Sequence, residues 1–286
     1  MSILLDRKTR VCLQGITGPM GRFQAEEMRS YGTDLVAGVS PGRGGDSIAG
    51  VPIFDTMEKA VRATGAEMTI MFLAAARVKD AIFEAISAGI RSIVCVAEFM
   101  PVHDMVVIKR RVSESKVRLI GPNCSGIITP GEAKVGFYSA EVAVPGDVGV
   151  IAKSGTLSYI ALLELKRRGI GTSTVVGIGG DEIKGMDFAD CLELFNDDPA
   201  TRAVLMIGEV GGRDEEVAAE YVRRHGKKPV VAFIAGRTIP PGRAIGHAGA
   251  FIIGSKGTYG SKVTALREAG VRVAETVEHI PDLLIS

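Results

Sequence analysis

Short apolar runs alternate with segments of helical period along most of the chain. Residues 10–14, 35–39, 67–73, 92–96 and 117–120 are such runs, rich in Val, Ile, Leu and Met, the mark of strands buried on both faces. Between them, residues 22–31, 78–88 and 105–113 place apolar positions at spacings of three and four, which predicts helices. A second series follows, with strands expected at 148–152, 173–177, 203–207 and 229–234, helices at 160–168 and 188–195, and a last unit over 262–273. Strand–helix alternation of this kind predicts an α/β fold with parallel sheets covered by helices. Thr129-Pro130-Gly131 and Pro145-Gly146 bracket a segment that reads as irregular, so the chain is divided into domains 1–128 and 129–286.

Ligands of such folds sit at the carboxyl ends of the strands. In the first series those ends are the loops 15–21, 40–45, 74–77 and 97–98. The first of them, Gly15-Ile16-Thr17-Gly18-Pro19-Met20-Gly21, leads from a strand into a helix. Its glycines let backbone N–H groups approach an anion, and the helix N-terminus adds partial positive charge. The spacing is GxxGxxG, not the GxGxxG of dinucleotide enzymes. The acidic residue expected after strand two is also missing, since Ser40-Pro41-Gly42-Arg43-Gly44-Gly45 stands there. A nicotinamide cofactor is disfavoured on both counts; an Arg in a glycine-rich loop suits a phosphorylated ligand. Lys153-Ser154-Gly155-Thr156 is a second strand–turn–helix junction, in which Ser154 serves equally as a helix N-cap. Glu209 follows the strand at 203–207 and is flanked by glycines. His247 lies in Gly246-His247-Ala248-Gly249-Ala250, after Pro240, Pro241 and Gly242 and before Phe251-Ile252-Ile253-Gly254. Small neighbours let a bulky anion approach its ring, and a neutral imidazole is a nucleophile.

Charge and cysteine usage narrow the field. The net charge of +1 carries no long basic run, so the electrostatic footprint of a nucleic-acid binder is missing. The four cysteines, Cys12, Cys95, Cys124 and Cys191, form no metal-ligand spacing and lie in apolar runs, which points to reduced thiols, a cytoplasmic setting and no metal site. No apolar run reaches membrane-spanning length and the N-terminus reads as neither signal nor transit peptide.

Taken together, Gln14-Gly15-Ile16-Thr17-Gly18, Gly121-Pro122-Asn123-Cys124, Lys153-Ser154-Gly155-Thr156-Leu157, Gly177-Ile178-Gly179-Gly180-Asp181, Met206-Ile207-Gly208-Glu209 and Gly246-His247-Ala248-Gly249-Ala250 resemble, in order and spacing, the α subunits of the succinate–CoA ligase family. Malate–CoA ligase and citryl-CoA synthetase small subunits share these motifs. The resemblance implies an N-terminal Rossmann-like CoA-binding domain followed by a flavodoxin-like α/β ligase domain. It implies that His247 carries a phosphoryl group and that Glu209 orients its ring. Ser154, Gly155 and Thr156 would hold the phosphoryl group, and Tyr159 would contact the acid substrate. Thr17, Gly18, Pro19, Met20, Arg43, Val96, Ala97 and Glu98 match CoA-contacting positions. The implied partner is an ATP-grasp β subunit, in an α/β heterodimer or heterotetramer, that brings ATP or GTP with Mg2+.

Several residues depart from the family pattern. Arg43 replaces a usual Lys, Lys153 a usual Arg, and Ile160 a usual Glu. The loop Leu73-Ala74-Ala75-Ala76-Arg77 lacks a proline, and residues 136–141 lack the common Pro-Gly-His stretch. These changes bear on the acid substrate more than on the reaction type. Succinate, malate and citrate all stay open, as does a CoA-binding subunit without catalysis.

Overall fold

In the computed structural model, residues 3–239, 246–252 and 256–285 are described. Pro240, Pro241, Gly242, Ile253 and Gly254, noted around His247 in the sequence, lie outside them. The chain divides into two compact units. One comprises Leu4–Tyr138 with Ile183–Gly185; the other comprises Met1–Ile3, Ser139–Glu182 and Met186–Ser286.

The first unit opens with β1 (Val11–Gln14), α1 (Pro19–Tyr31) and β2 (Leu35–Val39), followed by a short antiparallel pair, β3 (Ser47–Ile48) and β4 (Val51–Phe54). Next come α2 (Met57–Thr64), β5 (Met68–Met71), α3 (Ala75–Ser87), β6 (Ser92–Cys95), α4 (Val102–Ser113) and β7 (Arg118–Ile120). The sheet order is β3-β4-β2-β1-β5-β6-β7. Counted over the parallel strands alone this is 3-2-1-4-5-6, the Rossmann order. Strands β1, β5 and β6 are buried along their whole length, which is why they read as unbroken apolar runs. Strand β1 pairs with β2 on one side and β5 on the other, so the direction of winding reverses there. The glycine loop after β1 therefore occupies the switch point, where this fold binds ligands.

One expectation is corrected in this unit. The segment read as irregular contains a hairpin, β8 (Gly126–Thr129) and β9 (Ala133–Gly136), paired antiparallel from Gly126↔Gly136 to Thr129↔Ala133. A division after residue 128 would cut that ladder, and the compact unit extends to Tyr138. Pro130 and Gly131, taken as boundary signals, form the turn of the hairpin.

The second unit contains β10 (Pro145–Ala152), α5 (Gly155–Arg167), β11 (Thr172–Gly177), α6 (Phe188–Asp197), β12 (Ala203–Glu209), α7 (Asp214–His225), β13 (Val230–Ala235), α8 (Tyr259–Glu268), β14 (Arg272–Ala274) and α9 (Ile280–Ile285). Its parallel strands run β14-β13-β12-β10-β11. This is the flavodoxin-like order 2-1-3-4-5 read from the other edge, with its switch point between β10 and β12. Helix α5 starts at Gly155, five residues before the expected position, because Ser154 caps it: its hydroxyl accepts from the Leu157 N–H at 3.2 Å. Helix α7 was not expected, since its buried face carries Glu215 and the small residues Ala218 and Ala219. Among the described residues, no helix is long and apolar enough to cross a membrane.

Candidate functional site

The switch point of the second unit brings three chain segments together. Ala152 of β10 pairs with Ile207 of β12, so Ser154 and Glu209 leave the sheet side by side. Glu209 in turn pairs with Ala235 at the end of β13, from which the chain runs towards His247. A cavity of about 250 Å³ opens at this point, lined by Ser154, Leu157, Glu209, Gly236, Ile239 and His247 among others.

His247 and Glu209 are bonded. The imidazole Nδ1 lies 2.8 Å from Glu209 Oε2 and 3.0 Å from Oε1. The hydrogen bond to the carboxylate raises the His247 pKa above the ordinary 6.5; burial opposes it, the Glu209 and Asp181 charges add to it, and Lys153 works against it. A neutral imidazole whose Nδ1–H donates a hydrogen bond to Glu209 keeps a free lone pair on Nε2. The ring is seated on Gly180. A Cβ at that position would come 2.1 Å from the ring Cγ and 2.3 Å from Nδ1, so only glycine fits under the imidazole. The loop is pinned by the Gly249 N–H, which donates to the Gly180 carbonyl at 3.1 Å, and by the Ala250 N–H, which donates to the His247 carbonyl at 2.9 Å.

Gly155 and Thr156 form the first turn of α5, whose N–H groups have no carbonyl partner within the helix. An oxyanion beside Ser154 would meet these amides and the positive end of the helix. Lys153, which precedes the turn, is buried and paired with Asp214 at 3.0 Å and Glu215 at 2.9 Å. Tyr159 lies farther along α5. Its hydroxyl accepts from the Ser139 N–H at 2.8 Å, and burial raises its pKa. His247, Glu209 and Ser154 thus share one cavity, with Gly155 and Thr156 on the adjoining turn, while Tyr159 is not part of its lining.

The remaining expected residues lie in the first unit. Gly18 is the N-cap of α1 and Pro19 its first residue; no side chain caps this helix, so its first-turn amides are open. Gly15, at φ +81°, and Gly21 shape the loop: a Cβ on Gly21 would lie 2.2 Å from the Gly15 carbonyl oxygen. Thr17 and Ser40 hydroxyls meet at 2.9 Å, joining the loops after β1 and β2. Met20 is half-exposed, and Arg43 pairs with Asp46 at 2.6 Å on the surface. Asp55 holds the Arg43 loop by accepting from the Gly42 and Gly44 N–H groups at 3.0 and 2.9 Å. Val96, Ala97 and Glu98 follow β6; Ala97 is buried and its carbonyl accepts from the Asn123 N–H, while Glu98 is exposed. An uncapped helix start, an exposed guanidinium and open glycine loops suit a phosphorylated ligand such as CoA.

Gly180 stands in the motif Gly177-Ile178-Gly179-Gly180-Asp181, where the pair of glycines after β11 is the sequence signal of its role under the ring. The structure adds Glu215 and Lys262, discussed below, for which the sequence offers no signal.

Residues 6–99 match the CoA binding domain family and residues 151–272 the CoA-ligase family. The chain is 49% identical over 284 residues to a succinate–CoA ligase [ADP-forming] subunit alpha 2 of Archaeoglobus fulgidus, covering 99% of each chain. It is 49% identical over 277 residues to the corresponding alpha subunit of Aquifex aeolicus, covering 96% of this chain and 91% of that one. Among solved structures, the ATP citrate lyase of Methanothrix soehngenii in complex with citrate and coenzyme A superposes with a TM-score of 0.85 at 25% identity. That match covers 99% of this chain, which spans about half of the lyase chain (51%).

Proposed function

Because the chain belongs to the family of ADP-forming succinate–CoA ligase α subunits, acid–thiol ligases with a CoA-binding and a CoA-ligase domain, we propose that it catalyses formation of succinyl-CoA from succinate, CoA and a nucleoside triphosphate, through a phosphohistidine at His247. The observation that carries the reading is the bond from His247 Nδ1 to Glu209 beside the first turn of α5.

Glu209 accepts the hydrogen bond from Nδ1–H, so the Nε2 lone pair attacks the γ-phosphorus of ATP or GTP and the nucleoside diphosphate departs. The new phosphoryl oxygens are held by amides of Gly155 and Thr156 and by the dipole of α5, with Ser154 beside them. A carboxylate oxygen of the acid then attacks phosphorus, the N–P bond breaks, and an acyl phosphate forms. The CoA sulfur attacks its carbonyl carbon, phosphate leaves, and the thioester remains. Thr17, Gly18, Pro19, Met20, Arg43, Val96, Ala97 and Glu98 hold CoA, and Tyr159 contacts the acid. An ATP-grasp β subunit supplies the Mg2+–nucleotide, in an α/β heterodimer or heterotetramer. The reaction takes place in the cytoplasm, where the four buried cysteine thiols stay reduced.

The test is the reconstituted α/β pair with CoA and ATP or GTP, offered succinate, malate and citrate side by side. The expected result is thioester formation fastest with succinate, with equimolar nucleoside diphosphate and phosphate. Thioester formed only from malate or citrate would reassign the acid. Nucleotide hydrolysis without any thioester would overturn the reading.

A further inference from the structure

Below the His247–Glu209 pair lies a cluster of buried charges. Glu215, in the first turn of α7, and Lys262, in α8, are fully buried, and Lys153, between β10 and α5, is 5% exposed. Glu215 Oε1 accepts from Lys153 Nζ at 2.9 Å and from the backbone N–H of Glu209 at 3.1 Å. Its Oε2 accepts from Lys262 Nζ. Lys153 also pairs with Asp214 Oδ2 at 3.0 Å. Lys262 donates to the Gly211 carbonyl at 2.6 Å and lies 3.9 Å from Glu216 Oε2. Gly208 makes the approach feasible, since a Cβ there would stand 2.6 Å from Glu215 Oε1.

Each branch of the cluster ends on part of the site. Lys153 immediately precedes Ser154 and the first turn of α5. The Glu209 amide belongs to the residue that holds the His247 ring. Gly211 packs against the His247 loop so closely that a Cβ on it would lie 2.5 Å from the Ala250 carbonyl carbon and the Phe251 nitrogen. Apolar side chains of similar volume hold helices to a sheet at least as well as buried ions, so stability alone gives little reason for this arrangement. What an ionic hub adds is direction, because each of its hydrogen bonds fixes one partner in one place.

We infer that Glu215 is a positioning residue for phosphoryl transfer: it holds the Glu209 backbone, the Lys153 end of the phosphate-holding turn and, through Lys262, the Gly211 contact with the His247 loop in one frame. The inference rests on the reading of His247 as phosphoryl carrier. The charges facing His247 are Glu209 from β12, Asp181 from the loop after β11 and Lys153 from the end of β10. Glu215 carries one of the two charges that offset Lys153; Asp214 carries the other. Burial works against the Lys153 ammonium, but Glu215 and Asp214 outweigh it and lift its pKa, whereas burial pulls that of Lys262 down.

The test uses the full chain with its β partner and the substitution Glu215→Gln. Glutamine keeps the volume and an acceptor for the Glu209 N–H but removes the charge. The rate constant for phosphorylation of His247 is expected to fall at least tenfold, with the nucleotide KM within twofold of wild type. The imidazole titration of His247, followed by NMR in the full chain, is expected to move to lower pH, because Lys153 is then offset by Asp214 alone. Should the single variant fail to fold, Glu215→Gln combined with Lys262→Met removes one charge of each sign and is expected to show the same loss of rate. A folded variant with wild-type rate overturns the inference, as does a single variant with an unshifted titration or a loss confined to KM. If neither variant folds, Glu215 serves folding and not positioning, and the inference falls. Absence of phosphate on His247 in the wild-type complex would sink the proposed function instead, and the titration would still read the influence of Glu215 on the ring.

Discussion

Gly180→Ala tests the seat of the imidazole. The added methyl would stand 2.1 Å from His247 Cγ, 2.3 Å from Nδ1 and 2.7 Å from Cβ. Ordinary contact begins near 3.4 Å, so the ring must retreat by more than about 1 Å, a displacement of the size that lowers catalytic rates about 10²-fold. The Nδ1–Glu209 bond, at 2.8 Å, does not survive such a shift. The barrier to phosphorylation should therefore rise by about 2.7 kcal/mol. Gly180 does not occupy the left-handed region, so alanine adds no backbone strain and the folded state should persist. The assay is single-turnover phosphorylation of the α/β pair from ATP, read as acid-labile phosphate on the α chain, beside a thermal melt. A variant phosphorylated at the wild-type rate would refute the steric argument. So would a variant that loses its rate only because it no longer folds.

The other expectations concern separate parts of the molecule. Because Glu209 raises the His247 pKa and only unprotonated Nε2 is nucleophilic, the phosphorylation rate should climb with pH along a limb above 6.5; Glu209→Gln should move that limb to lower pH and lower its plateau, and an unmoved limb would contradict the assignment. Ser154→Ala removes the hydroxyl that caps α5 at 3.2 Å, which should cost about 1 kcal/mol and lower the melting temperature by about 2–4 °C. Phosphorylation should continue on the Gly155 and Thr156 amides, so its abolition would show that the hydroxyl itself contacts phosphate. Gly21→Ala, whose methyl would lie 2.2 Å from the Gly15 carbonyl oxygen, should weaken CoA binding at least tenfold by calorimetry while leaving His247 phosphorylation unchanged; unaltered CoA affinity would remove the glycine loop from the CoA site.

The two parallel sheets were legible because strands such as β5 and β6 are covered on both faces and so carry unbroken apolar runs. The strand–turn–helix junctions at Gly15–Gly21 and Ser154 were legible for the same reason, each lying at the end of such a run. The β3–β4 pair escaped notice because its strands are short, partly exposed and interrupted by Pro52. The β8–β9 hairpin was hidden by its own Gly and Pro residues, which read as a break. Helix α7 escaped because it turns Glu215 inwards, against the rule that a core face is apolar. Chemistry divided along the same line. His247 and Glu209 could be singled out by type and by glycine neighbours, but they lie 38 residues apart, and it takes the pairing of β12 with β13 and the Gly249–Gly180 bond to bring them together. The ion cluster under them had no sequence signal, because Lys153, Glu215 and Lys262 come from three segments and look individually like surface residues.

The central claim is that His247 carries the phosphoryl group. It is tested most directly by incubating the full chain and its β partner with Mg2+–ATP and mapping the modified peptide by mass spectrometry, in wild type and in His247→Asn. The account expects acid-labile, alkali-stable phosphate on the wild-type peptide that contains His247, and none on the variant, whose melting temperature stays at the wild-type value. Phosphate on a different residue, or undiminished phosphorylation of His247→Asn, would contradict it.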